Sequence, residues 1–278
     1  WRFIVIIDAH AHACGDFLYS KNIIEILDKN NVNKVVLVPG ELGSSKNYTL
    51  PDLAARYPTR DVVNLTNLIT KVIIGISGKA RYIDAGNKYV YSLAKEFPNR
   101  IIQFYWIKLS TPHVFENLEL NFEKYNFKGI KMHQCWESFN VSSDAFHRVS
   151  EWAASNQLPI FVHLFSKKEA KRLAQYLKSH RNTIFIIGHL FGLERYIEAD
   201  LDSDNVYFEI STPDLVSKHR IMKAIKRFSA LRVVLGSDIP YGQNNLKRNI
   251  NRVMNLDISD EEKYSILGVN MKELLKIK

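Results

Sequence analysis

Long apolar runs are missing from this chain. No stretch approaches the ~20 apolar residues that a membrane-spanning helix needs, so no membrane partner is expected. Cysteine is scarce. Cys14 and Cys135 are the only two in 278 residues, which excludes a disulfide framework. Cys14 lies two residues after His12, so a thiolate ligand is conceivable, but a free thiol near a site mouth fits better. No Gly-x-Gly-x-x-Gly follows the first apolar run, which counts against a dinucleotide-binding sheet. Low-complexity tracts and linkers are absent too, so residues 1–278 read as a single domain. Acidic residues are in deficit: 29 Asp and Glu against 38 Lys and Arg leave a formal charge of +9. The basic residues are spread out, without a dense block or an interleaved aromatic stripe. That dispersal predicts a solvated surface that attracts small anionic molecules, and no nucleic-acid partner. The run Phe3–Ile7 is too short for a signal-peptide core and leads straight into Asp and His, so a cytoplasmic location is expected.

What is present is alternation. Short apolar runs at Phe3–Ile7, Lys34–Val38, Ile101–Ile107, Gly129–Met132, Ile160–His163, Thr183–Ile187, Val206–Ile210 and Arg232–Leu235 are separated by stretches of helical spacing. Most lack a polar alternate face, as expected of parallel strands covered on both sides. Eight such strands alternating with helices predict an α/β fold, a closed (β/α)8 TIM barrel rather than an open sheet. One connection is abnormally long. About sixty residues separate Pro39 from Ile101, against a dozen or so for a plain crossover. It carries helical pattern at Asp61–Ile74 and Lys79–Phe97, and it predicts an inserted helical lid region after strand two. Arg56, Arg60 and Arg81 fall in it and suit a substrate carboxylate; Arg56 and Arg60 are the preferred substrate contacts.

The barrel's strand ends carry the chemistry. Asp8-Ala9-His10-Ala11-His12 follows the first run, and residues two apart on a strand face the same side. His10 and His12 therefore aim two imidazoles at one point, half of a transition-metal site. His163 ends Pro159-Ile160-Phe161-Val162-His163 and supplies a third nitrogen. Asp238, in Leu235-Gly236-Ser237-Asp238, adds a carboxylate. The expected metal set is thus His10, His12, His163 and Asp238, suited to zinc, with manganese or iron as alternatives. Asp238 is also the expected general base, and His189, after Ile186-Ile187-Gly188, the expected support for a developing oxyanion or a ligand to a second metal. Lys131 and His133 share one side of strand four and are expected to face the substrate. A carboxylated Lys131 bridging two metals is the alternative. Strand seven contributes Glu209 and Ser211. His113, His147, His180 and His219 receive no role.

These residues, in this order, resemble the amidohydrolase superfamily, and most of all its amidohydrolase-related branch of aminocarboxymuconate-semialdehyde decarboxylase-like proteins. The resemblance rests on Ile7-Asp8-Ala9-His10-Ala11-His12, Gly129-Ile130-Lys131-Met132-His133, Leu158–His163, Ile187-Gly188-His189-Leu190, Gly236-Ser237-Asp238-Ile239-Pro240 and the closing Ile266-Leu267-Gly268-Val269-Asn270. It implies a metal at the positions of His10, His12, His163 and Asp238, with His189 near the substrate, and a homodimer. One segment departs from the branch: where Pro often follows the strand-four histidine, Gln134-Cys135-Trp136 follows His133 here. The pocket is therefore expected to differ.

Three functions compete. The first is a metal-dependent hydrolase acting on a small carboxylate-bearing ester, lactone or amide through an activated water. The second is a metal-dependent decarboxylase on the same site. The third is a non-catalytic, salt-sensitive binding protein on the same barrel, against which the complete ligand set argues.

Overall fold

The structure is a computed structural model that describes residues 4–201 and 204–277. Its strands, in chain order, are β1 (Ile7–His12), β2 (Lys34–Val38), β3 (Ile101–Gln103), β4 (Tyr105–Trp106), β5 (Ile130–His133), β6 (Ile160–His163), β7 (Phe185–Ile187), β8 (Val206–Glu209) and β9 (Val233–Val234). They pair in parallel as β1-β2-β3 and as β4 through β9.

Backbone hydrogen bonds join the two groups. Phe104, between β3 and β4, donates to Leu37 O at 3.1 Å, and Tyr105 donates to Gly129 O at 2.9 Å. β3 and β4 are therefore two halves of one stave. On the other side, Ala9 donates to Leu235 O and His12 donates to Ile239 O, both at 2.8 Å. Those bonds close an eight-stave (β/α)8 barrel of the expected class. Val36 and Val38 fall in one apolar cluster with Trp106, Phe161 and Ile186. Their sequence neighbours Val35 and Leu37 fall in another, with the helix residues Ile23, Leu27, Leu173 and Ile221. Strand alternation thus separates two cores, so every strand is covered on both faces.

One boundary differs from the sequence expectation. The first strand is not Phe3–Ile7; it begins at Ile7 and runs through His12, and Phe3 lies outside the described residues. Hydrophobicity stops before the strand does because Asp8, His10 and His12 are buried and bonded inside the barrel mouth.

The long connection is helical, as expected, with helices at Leu53–Arg56, Val63–Ser77 and Ile83–Glu96. Val63–Ser77 inserts Asn67 into the barrel mouth, while Asp61, just before it, is tied to Gly192 N (2.7 Å) and to the buried Arg220. The C-terminal segment opens on a capping box between Ser259 and Glu262.

Candidate active site

The strands deliver their polar residues to one end. His10, His189 and Asp238 are all buried, and each offers a ligand atom within 4.8 Å of the others. His12 adjoins them, with Nε2 3.3 Å from Asp238 Oδ1. Its Nδ1 must donate to Pro39 O, 2.7 Å away, because a carbonyl only accepts. Nε2 is thereby left to face the cluster.

Asp238 is the anion at the centre. Burial pulls its carboxyl upward, but His189, His12 and Lys131 more than offset this and hold it below the usual range. Thr212 Oγ1 donates to its Oδ2 at 3.0 Å. His189 Nε2 lies 3.9 Å from the same oxygen, and its Nδ1 meets Ser211 Oγ at 2.9 Å. Burial lowers the His189 imidazole to about 4, so it is neutral at physiological pH. Burial likewise pushes His10, His133 and His163 well down. Uncharged imidazoles are the form that binds metal.

The backbone is held in an uncommon state here. His189, Leu190, Thr212 and Asp238 all have φ between 52° and 58°, a left-handed conformation that non-glycine residues seldom adopt. Such residues cluster at functional sites, where surrounding bonds impose them. Here the imposing bonds include Asp238 N to His10 O (2.7 Å) and His189 N to Glu209 Oε2 (3.0 Å).

Two further expected residues form a second layer. His163 stacks on His133, with ring centroids 3.9 Å apart, and sits 4.9 Å from the ring of His189. Its Nε2 meets Asn67 Oδ1 at 2.6 Å. Asn67 Nδ2 already donates to Leu164 O and Phe165 O, so its oxygen is an acceptor and His163 must carry its proton on Nε2. His133, Cys135 and His163 form another buried group within 4.8 Å. The near-parallel stacking of the two rings keeps their in-plane lone pairs from converging on one point. Lys131 is fully buried, with Nζ 2.9 Å from His10 Nε2 and 4.0 Å from the Phe161 ring centroid. Burial lowers its pKa to about 7. It supports His10 from within the barrel and does not project from it.

Arg56 and Arg60 are not brought into this cluster. Both are exposed and lie over the ring of Tyr57. Conversely, Asn67 and Thr212 were not singled out by sequence. An Asn inside the apolar run Leu65–Ile76 was the available signal for the first. Glu209 appeared only as a strand-end residue. It is fully buried, with its pKa pushed up to about 8 by burial, and it accepts from His189 N, Ser211 N and Ser211 Oγ. A carboxyl inside Val206–Ile210 was its mark.

The cluster is nearly closed: the Asp238 side chain is 10% exposed. Surface cavities of about 220, 450 and 530 Å³ open elsewhere, and none is lined by His10, His12, His163, His189 or Asp238.

Comparison with known proteins places this barrel. The family model described as TatD related DNase matches residues 7–277. The chain belongs to the TatD-related DNase family. A search of curated proteins gives no significant match. Among solved structures, this TatD-related chain is similar to a probable 2-pyrone-4,6-dicarboxylic acid hydrolase from Acinetobacter baumannii, with 14% identity, TM-score 0.69, and 98% of this chain and 99% of that one covered. It is similar to 5-carboxyvanillate decarboxylase from Sphingomonas paucimobilis, with 12% identity, TM-score 0.67 and coverage of 99% and 100%. It is also similar to 2,6-dihydroxybenzoate decarboxylase from Rhizobium, with 12% identity, TM-score 0.68 and coverage of 98% of both chains. At such identities these likenesses establish the fold. Together with the family match, they place the TatD-related chain in the amidohydrolase superfamily that its motifs resemble.

Proposed function

We propose that the protein is a metal-dependent hydrolase of a small, carboxylate-bearing ester, lactone or amide. One observation carries this reading: three buried groups, His10, His189 and Asp238, converge within 4.8 Å, and His10 Nδ1 is buried without a hydrogen-bond partner among the described residues. A buried polar atom left unpaired is costly unless something completes it. Neutral imidazole nitrogens and a carboxylate oxygen suit a divalent transition metal, and zinc or manganese is the proposed occupant.

His10, His189 and Asp238 would hold the cation, with His12 Nε2 and the His163 ring as further nitrogen donors beside them. A divalent cation bound there acidifies a water and polarises a carbonyl. Asp238, ionised and fixed by Thr212, takes a proton from the attacking water and returns it to the leaving group. His189 Nδ1 donates to Ser211 Oγ, whose own hydrogen goes to Glu209, so the Nε2 lone pair faces the cluster and serves the cation. His133, stacked between His163 and Trp106, lines the approach.

The alternative is non-oxidative decarboxylation in the same site. The related barrels named for decarboxylases act, by their names, on carboxylated aromatics, and all three named substrates carry carboxylates. A second alternative is cleavage of DNA, suggested by the family's name and the +9 charge. The nearly closed cluster opposes a duplex and favours a small anion.

Elemental analysis of the purified protein, of His10→Ala and of Asp238→Ala, alongside assays on dicarboxylic lactones, amides, carboxylated phenols and DNA, tests this. Metal bound by the parent and lost in both folded variants, with water added to a lactone or amide, is the expected outcome. Release of carbon dioxide would establish the decarboxylase, and DNA cleavage the nuclease. A protein that takes up no metal on reconstitution would overturn all three metal readings.

A further inference from the structure

The helix Val63–Ser77 has an outer face without an intramolecular partner among the described residues. Leu65, Leu68, Ile69, Val72, Ile73 and Ile76 are between 52% and 84% exposed. They recur at helical spacing and make one stripe along the helix. Six of the twelve large apolar residues exposed on the described surface sit on this one helix. The remainder are scattered, as on any soluble protein.

The opposite face of the same helix is committed inward through three residues. Asn67 is bonded to His163, Leu164 and Phe165, and Val63 and Ile74 are buried. Lys71, its single charged residue, lies over the Phe165 ring at 4.3 Å. The outer stripe is therefore uncharged on a protein whose net charge would otherwise repel its own copies.

Scaled by exposure, the six side chains offer on the order of 700 Å² of surface, close to the ~800 Å² per partner of a standard interface. It also exceeds the ~300–600 Å² of the largest patch on an ordinary monomer. An uncharged apolar stripe is complementary to itself, which is what a two-fold interface requires. A helix lying on a membrane would instead keep a Lys- or Arg-rich polar face toward water; this helix carries one charged residue, Lys71, half-buried over the Phe165 ring.

We propose that this face is a homodimer interface in which the Val63–Ser77 helices of two copies pack against one another. The contact would also brace the helix that carries Asn67 to His163, so dimerisation and the order of the site would be linked. The interface does not depend on which reaction the site performs.

Sedimentation equilibrium of the full chain over a wide concentration range tests this, with Leu68→Lys/Ile76→Lys, the milder Leu68→Ser/Ile76→Ser and a control, Leu231→Lys, at another exposed site. The expected result is twice the chain mass for the parent and the control and the chain mass for the Lys variant, with native circular dichroism. The Ser variant should dissociate at tenfold or more higher concentration than the parent. A parent that stays monomeric overturns the proposal, and so does a dimer unaffected by either double variant. Helix-dependent flotation of a monomeric parent with phosphatidylcholine–phosphatidylserine vesicles would overturn it in favour of a lipid surface.

Discussion

Asn67 Oδ1 accepts a hydrogen bond from His163 Nε2 at 2.6 Å, across 96 positions of the chain. The insertion therefore reaches into the barrel mouth and sets which nitrogen of a strand-end histidine is free. Asn67→Ala would leave that imidazole N–H and two carbonyls without partners inside the protein. Each buried unsatisfied group costs about 1–3 kcal/mol, so urea denaturation should show a loss in that range or above. Nitrogen NMR of the imidazoles should show His163 losing its single tautomer. An unchanged tautomer in the variant would remove the assigned role of Asn67.

Arg220 anchors the insertion just ahead of the same helix. It is 2% exposed, and it donates to Glu194 Oε1 (2.8 Å) and to Leu190 O (3.0 Å) while facing Asp61 Oδ2 at 3.4 Å. Arg220→Met keeps the bulk and strands the Asp61 carboxyl in an apolar setting. Breaking a buried pair from one side costs about 3–5 kcal/mol. Asp61→Asn combined with Arg220→Met should recover part of the loss, because the charge left behind is then gone. Chemical denaturation of the two single variants and the double variant measures this coupling, and strict additivity would contradict it.

Gly236 is required by a neighbour. A Cβ built there would lie 2.0 Å from Glu209 Oε1, in a wall too close-packed to yield. Gly236→Ala is expected to cost about 1–3 kcal/mol by overpacking, read as a lowered urea midpoint. Glu209→Ala in the same chain should relieve most of that clash. If Gly236→Ala alone is neutral, the Glu209 carboxyl is not held where the structure puts it.

The two thiols should be inert in the native protein. Burial pushes both Cys14 and Cys135 up to about 12 from an ordinary 9.0, so the reactive thiolate is scarce at pH 8. Alkylation by iodoacetamide should be slow until denaturant exposes them. The sign for stability follows. Unfolded thiols lose their protons from about pH 9 while the folded ones keep theirs, so these groups lower stability progressively between about pH 9 and pH 12. Replacing both by Ser should reduce that alkaline decline, as measured by denaturation at several pH values.

Much of this was legible in the sequence because a barrel strand states itself by a run of Val, Ile and Phe. His163 and Asp238 were visible as polar residues closing such runs. What the runs concealed was depth. Lys131 looked like a cation facing a substrate, yet it is fully buried with Nζ on His10 Nε2, a placement that only burial and distance reveal. Asn67 could not be found by reading strand ends, since it comes from a helix that folds over the mouth. The start of β1 was misplaced for a related reason: polar residues paired inside a site extend a strand past its apolar stretch.

The seam of the barrel has a temporal consequence. Asp238 N and Ser237 N both donate to His10 O, and the Ser237 hydroxyl donates to Asp8 at 2.6 Å, across 229 positions. The cluster's first and last members are thus brought together by the bonds that shut the ring. Until the segment around Ser237 has emerged, His10 and His12 lack the Asp238 carboxylate that adjoins both. Closure of the ring therefore waits on the segment around Ser237, and a nascent or truncated product ending before it cannot bring His10 and Asp238 together.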